Sequence, residues 1–328
     1  MLGSKVKLYA LMLIALTACT KQELMPTAVT AEATLNATSA QETVFGLMKE
    51  KTNFTMTMTQ LISQTKQDMN KAGIRMVRVP ISLSQTTVNK TIDQYLADGY
   101  DVHITANWDN ATNGERSFPA PGDTNRLKSQ AEAFFQYYTP YKDHIPFIVV
   151  ENEWDYQVQN GAVMQDYLNE LSIMTEIGHK YGFKIADGGI TSNNLRRWAY
   201  SQLSGPEQQQ WKINYYVGLT NGYDALINIV DTYIAGAKNI DFDYSNVHWY
   251  NSGTCANGFA RASQAFMKAC NKNVVSCNEF GILTNSATLF DSTLVEIRGN
   301  ANYAVAYSGS NKPGKAVLLA DDMLNAFK

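Results

Sequence analysis

The chain has 328 residues, 45% of them hydrophobic and 17% charged, an ordinary globular composition that suits one large α/β barrel or two smaller domains. Its 27 Lys and Arg against 30 Asp and Glu leave a formal net charge of −3, which argues against a nucleic-acid partner. Aromatic residues make up 11%, enough for stacking surfaces, although a core would consume most of them.

Lys5 and Lys7 precede an apolar run over residues 8–16, too short to span a bilayer as a permanent helix. The run ends in Leu16, Thr17, Ala18 and Cys19, a pattern that resembles the bacterial lipobox. The resemblance implies a signal peptide over 1–18, cleavage before Cys19, and a lipid such as palmitate on that sulfur. An ordinary signal peptide with a chance cysteine is the alternative. Residues 27–41 are rich in Ala and Thr and lack a period, so 19–41 reads as a flexible tether and 42–328 as the folded domain.

From residue 42 onward, short apolar runs alternate with longer amphipathic ones. A first strand is predicted over 45–48, then a helix over 57–72 closed by Gly73. A second strand follows over 74–80, a short helix over 91–98 and a third strand over 101–108. A polar loop with Pro119, Pro121 and Gly122 leads to a helix over 126–138. The fourth strand is the clearest: Phe147, Ile148, Val149 and Val150 run straight into Glu151, Asn152, Glu153 and Trp154. A helix over 165–181 closed by Gly182 precedes a fifth strand over 183–188. An insertion-like stretch over 193–239 holds at least two helices. A sixth strand over 247–250, a helix over 260–271, a seventh strand over 274–280, an eighth over 303–307 and a last helix over 316–327 complete the pattern. This alternation predicts a (β/α)8 TIM barrel. A doubly wound open sheet is the rival, but no Gly-rich phosphate loop supports nucleotide binding.

In such a barrel, functional side chains come from the C-terminal strand ends. Reading those ends gives Arg78, Asn107, Trp108, Asn152, Glu153, His248, Tyr250, Glu279 and Tyr307. A polar or charged residue closes almost every strand, and two of them, Glu153 and Glu279, are carboxylates. A packed strand does not normally end in Glu-Asn-Glu, because a buried carboxylate must be paired or change its protonation. Strand alternation places Glu151 on the same side as Glu153, so it needs a neutral form, a donor, or a bulge that turns it outward. His103 sits mid-strand and reads as structural. Asn169-Glu170, another Asn-Glu pair, falls inside an amphipathic helix and reads as solvated. Trp108, Trp154 and Trp249 lie near strand ends and are candidate stacking platforms for a ligand, with core packing as the alternative for each.

Asn-Glu closing strand four, a second Glu closing strand seven, Arg78 after strand two, His248 and Tyr250 on strand six, and Phe280-Gly281 together resemble the retaining glycoside hydrolases of clan A. The likeness is closest in style to the family 5 endoglycanases, and Glu-Asn-Glu is similar to clan A β-galactosidases as well. The resemblance implies cleavage of a β-linked poly- or oligosaccharide with Glu153 as acid/base and Glu279 as nucleophile. Burial and the neighbouring Glu279 charge would help Glu153 keep its proton near neutral pH. Arg78 and Tyr250 would keep Glu279 ionised, Asn152 would hold the sugar 2-hydroxyl, and His248 would position Glu153 or line the cleft. Relatives commonly place Trp at strand eight and His at the end of strand three, where this chain has Tyr307 and Asn107-Trp108. No metal or organic cofactor is required, and a monomer is expected.

Three cysteines remain beyond the leader. Cys277 lies two residues before Glu279 and is expected on the same face. Buried free thiols are the favoured reading, with a Cys255–Cys277 bridge as the alternative. A rival function is a non-catalytic carbohydrate-binding surface lipoprotein on the same scaffold. Metal-dependent barrel chemistry is disfavoured by the scarcity of His, 4 in all.

Overall fold

The computed structural model describes residues 42–51, 55–83, 90–108, 118–214, 224–251, 258–309 and 316–328, without the side chains of 210–214. The expected leader, Cys19, the tether and Cys255 lie outside the described residues.

Eight parallel strands form the sheet: β1 Val44–Lys49, β2 Met76–Ser82, β3 Asp101–Asn107, β4 Ile148–Val150, β5 Ile185–Ala186, β6 Ser245–Asn251, β7 Val275–Ile282 and β8 Tyr303–Ser308. Their order is β5-β4-β3-β2-β1-β8-β7-β6. Parallel bridges at Ala186–Tyr244 and Ile190–Val247 bring β5 against β6, so the sheet closes on itself as a (β/α)8 barrel. The helices are α1 Met58–Ala72, α2 Lys90–Ala97, α3 Thr124–Tyr138, α4 Trp154–Gln159, α5 Met164–Lys180, α6 Ser192–Ser201, α7 Gly205–Asn214, α8 Asp224–Ala237, α9 Phe259–Ala269, α10 Ala287–Ile297 and α11 Asp321–Asn325.

Local sequence explains the best-defined boundaries. Thr57 and Gln60 form a reciprocal capping box at the start of α1, and Gly73 ends it at φ 71°. A cap of this kind is worth about 1 kcal/mol. Along α1, Ile62, Met69 and Ala72 are buried, giving the helix one face toward the barrel.

The inward side chains change character from one end of the barrel to the other. Phe147, Val149 and Ala186 form an inner apolar plug with Tyr244 and Tyr303. The His103 ring packs on Phe147 at 4.3 Å between centroids, and burial holds its pKa well below the ordinary 6.5, so it is a neutral core residue. Above the plug, β3 presents Thr105 and Asn107, and β6 presents Asn246, His248 and Tyr250. Period-2 alternation thus carries an apolar floor up to a polar mouth on the same strands.

Several elements differ from the sequence expectation. β5 keeps only two ladder residues, because the chain leaves the sheet at Gly188 and Gly189, the latter at φ 80°. The 193–239 stretch holds α7, α8 and most of α6, which agrees with the two or more helices expected there. Helix α10 was not expected, although Leu289, Thr293 and Ile297 recur at four-residue spacing and are all buried. α11 is shorter than the 316–327 helix expected. Cys270 and Cys277, by contrast, are free and buried as the favoured reading had them. The register shifts between Cys277 and Phe280, which takes Cys277 out of alternation with Glu279. Cys277 instead joins the main apolar cluster with Phe280.

Candidate active site

The site begins where β4 stops. Val150 is the last strand residue; Glu151 at φ 68° and Glu153 at φ 53° both adopt left-handed backbone. Such a conformation costs a non-glycine residue about 1–2 kcal/mol. The fold holds the turn at three points. Glu151 N–H donates to Ala106 O at 2.8 Å, and Glu153 N–H donates to Gly188 O at 2.8 Å. Trp154, fully buried, stacks on Tyr233 with centroids 4.0 Å apart. Gly188 is required by this contact, since a Cβ there would lie 2.6 Å from Val150 O. The turn sends Glu151 away from Glu153, so strand alternation fails here. Glu151 accepts from Trp108 N–H and from Gln157 Nε2 at 3.2 Å, and is buried.

Glu279 reaches the same mouth from β7. The irregularity in β7 sets Glu279 directly beside His248 in the ladder, although Asn246 is paired with Ser276. Its two carboxylate oxygens are held separately. Oε2 accepts from Arg78 Nη1 at 2.5 Å, and Oε1 accepts from the Tyr250 hydroxyl at 2.7 Å. Burial by itself raises the carboxyl pKa, but the charges of His248 and Arg78 and these two hydrogen bonds outweigh it and hold Glu279 at about 2. Burial, followed by the Glu279 charge, pushes the Tyr250 phenol well above its ordinary value, which keeps it a donor.

Arg78 is the hub of this arrangement. It is buried on β2 and also donates from Nε to Thr105 Oγ1 at 2.9 Å, from Nη1 to Asn278 O at 3.0 Å, and from Nη2 to Asn152 Oδ1. Asn152 is therefore tied to the same guanidinium as Glu279. His248, fully buried, meets Glu153 Oε1 through Nδ1 at 3.1 Å. Burial lowers the His248 pKa, yet the carboxylates of Glu279 and Glu153 more than offset it and raise the ring above its ordinary 6.5.

One carboxylate oxygen each from Glu153 and Glu279 and a ring nitrogen of His248 all lie within 4.8 Å of one another. This His-plus-two-carboxylate set has the donor types of a divalent-cation site. The hydrogen bonding fits one poorly, because both Glu279 oxygens are already bonded and a guanidinium lies against one of them. Around the pair opens a cleft of about 610 Å³, lined by Arg78, Asn107, Asn152, Tyr250 and Tyr307 among others. Asn107 Nδ2 donates to Ile81 O at 3.0 Å, which fixes its amide at the rim. The Tyr307 hydroxyl donates to Glu50 Oε2 at 3.0 Å, and its ring meets Tyr250 edge-on.

The three tryptophans offered as sugar platforms are corrected by their burial. Trp154 opens α4 and points into the stack with Tyr233 and Tyr167. Trp249 falls between the inward His248 and Tyr250, so alternation turns it outward against Phe259, with the Arg196 guanidinium 3.9 Å from its centroid. Trp108 is covered by Arg126 at 4.4 Å. None of the three lines the cleft. Glu170, read as solvated, is fully buried. Strand-end reasoning missed Arg196, Asn193 and Ser192, which line the cleft from α6. Arg196 donates to Tyr250 O and Asn251 Oδ1, both at 2.8 Å. No strand-end signal could have found it, because it comes from a helix in the insertion.

No protein-family model matches this sequence, and no curated protein matches it either. The fold is similar to that of a family 39 glycoside hydrolase from the gut symbiont Bacteroides cellulosilyticus WH2, at 14% identity and a TM-score of 0.53, covering 88% of this chain and 62% of that one. It is similar to XacCel5A, solved in complex with cellopentaose, at 12% identity and a TM-score of 0.52, covering 88% and 100%. It is also similar to the catalytic domain of β-amylase from Paenibacillus polymyxa, at 10% identity and a TM-score of 0.52, covering 87% and 95%. The chain thus spans about three fifths of the length of the family 39 enzyme. These likenesses are of fold.

Proposed function

We propose that this protein is a retaining glycoside hydrolase that cuts a β-linked poly- or oligosaccharide, with Glu279 as nucleophile and Glu153 as acid/base. The observation that carries the reading is the proximity of the two carboxylates, with oxygens within 4.8 Å. Retention calls for carboxyl groups about 5–5.5 Å apart, whereas inversion needs about 6.5–9.5 Å to admit a water.

The contacts support the following roles. Glu279, ionised and fixed by Arg78 and Tyr250, attacks the anomeric carbon. Glu153 gives a proton to the departing glycosidic oxygen, then takes one from the water that releases the sugar. His248 touches the Glu153 carboxyl and provides a second group through which that proton can be held. As charge leaves Glu279 for the sugar, the Tyr250 hydroxyl and the Arg78 guanidinium remain to restore it in the second step. Asn152 offers its amide nitrogen to a sugar hydroxyl while Arg78 binds its oxygen. The lipobox-like run that ends in Cys19 supports a further part of the proposal, that the enzyme is lipid-anchored at an extracytoplasmic bacterial membrane surface, the outer membrane in particular. Among the described residues, no helix is long and apolar enough to cross a membrane.

The test is hydrolysis of a panel of chromogenic β-glycosides and glycans by the parent, Glu279→Gln and Glu153→Gln. A mechanism-based fluorosugar should label Glu279, and labelled palmitate should enter the parent but not Cys19→Ser. Binding of glycans with no turnover by the parent would favour a carbohydrate-binding protein instead.

A further inference from the structure

Behind the turn that carries Asn152 and Glu153 lies a second pair of acids that the catalytic reading does not use. Glu151 is 1% exposed and Glu170, on α5, is 0% exposed. Each Glu151 oxygen has a donor: Trp108 N–H on Oε1 and Gln157 Nε2 on Oε2. Neither oxygen of Glu170 receives a donor from the described residues; its partner is the Glu151 carboxylate. Two carboxyl groups can bond each other only if one keeps its proton. The donor pattern identifies which one. Glu151, accepting twice from N–H groups, is the carboxylate, and Glu170 is the acid that donates to it.

We infer that Glu151 and Glu170 form a buried acid–carboxylate pair sharing one proton, and that this pair positions the turn that presents Asn152 and Glu153. As a positioning device for catalysis, the inference rests on the glycosidase reading; the pair itself does not. Gln157 ties the pair to the turn, because the same Nε2 that donates to Glu151 also donates to Asn152 O at 2.9 Å. Glu151 is itself one of the two left-handed residues, so its side chain anchors a backbone conformation that the turn does not favour by itself.

Among the described residues, the surroundings offer Glu170 no substitute for that proton. The charge acting on Glu170 is that of Glu151, and burial acts in the same direction, raising the Glu170 pKa well above its ordinary 4.5. Tyr167 on α5 faces both acids, and Asp187 at the end of β5 lies beyond Tyr167. From α3, Arg126 lies on the face of Trp108, with its guanidinium half exposed to solvent. When pH rises far enough to ionise Glu170, two buried carboxylates confront each other, and the turn has to move.

The experiment uses the full chain, isotopically labelled, with Glu170→Gln as the comparison; Gln retains an N–H donor toward Glu151 at nearly the same size. Carboxyl carbon NMR of the parent should show, at neutral pH, a protonated glutamic acid whose signal is missing from Glu170→Gln. The backbone amides of Asn152 and Glu153 should shift in step with its alkaline titration in the parent and stay in place in the variant. With a chromogenic substrate, the parent should lose kcat/KM over that same titration and Glu170→Gln should not. Absence of the protonated acid, or amides of the turn indifferent to its titration, would overturn the inference and leave the glycosidase reading intact. A titrating acid coupled to the turn in a protein that cleaves no glycoside would sustain the pair and remove the proposed reaction.

Discussion

Tyr250→Phe isolates one of the forces that hold the proposed nucleophile ionised. The ordinary glutamic acid pKa of 4.5 falls to about 2 at Glu279 despite burial. That net difference corresponds to about 3 kcal/mol, at about 1.4 kcal/mol per pH unit, and His248, Arg78 and Tyr250 together supply more than this because burial opposes them. A hydrogen bond to a charged group is worth about 1.5–3 kcal/mol, so removing the phenol should raise the Glu279 pKa by about 1–2 pH units. The acid limb of kcat/KM reports this group in the free enzyme. It should move from about 2 in the parent to about 3–4 in Tyr250→Phe. The sign is set by linkage: a depressed carboxyl favours the folded state above its unfolded value of 4.5, and that contribution fades as pH falls toward about 2. Raising the folded pKa of Glu279 toward that unfolded value therefore shrinks this contribution and makes its acid loss end at higher pH. Initial rates from acidic to neutral pH, with tryptophan fluorescence recorded in parallel to separate unfolding from titration, provide the measurement. Coincident acid limbs for parent and variant would refute the argument that the hydroxyl at 2.7 Å stabilises the carboxylate.

Other perturbations address other parts of the structure. Trp154→Ala should cost about 3–5 kcal/mol of stability by denaturant titration, with KM little changed for whatever protein still folds, because Trp154 packs in the core. A large rise in KM without a stability loss would restore it as a sugar platform. Gly188→Ala places a Cβ 2.6 Å from Val150 O and should destabilise the fold by about 1–3 kcal/mol while lowering kcat through the Glu153 N–H contact. Retained Tm and kcat would show that the β4–β5 ends can separate freely. His248 is raised above 6.5, so its charged form contributes stability at low pH, and that contribution is lost as pH rises through the raised value. His248→Gln should flatten this slope in urea titrations from mildly acidic to mildly alkaline pH; an unchanged slope would remove the His248–carboxylate pairing as its cause.

Much of the fold was legible because its signals are local. Apolar runs of the right length marked seven of the strands well, and Gly73 and Gly182 marked helix ends through the left-handed conformation that glycine accepts. β5 was overextended because the departure at Gly188 is set by its contact with Val150, which no local pattern encodes. The alternation rule worked on β6, where it puts His248 and Tyr250 inward, and the same rule would have turned Trp249 away. It failed at both carboxylates: Glu153 follows a left-handed turn, and Glu279 follows a register shift. Glu170 was misread because a carboxylate on an amphipathic helix is ordinarily solvated, and its partner is nineteen positions away in sequence.

The amino-acid order alone determined the eight strands, most of the helices between them and the polar residues that close the strands, since hydrophobic period and turn chemistry act between near neighbours. Tertiary structure decided which of those residues meet. The gap between Glu153 and Glu279, the sharing of Arg78 between Asn152 and Glu279, the burial of the tryptophans and the Glu151–Glu170 contact all join residues far apart along the chain. Such contacts depend on how the barrel closes and on backbone irregularities at its rim, and a displacement of an ångström there separates a bonded pair from an unbonded one.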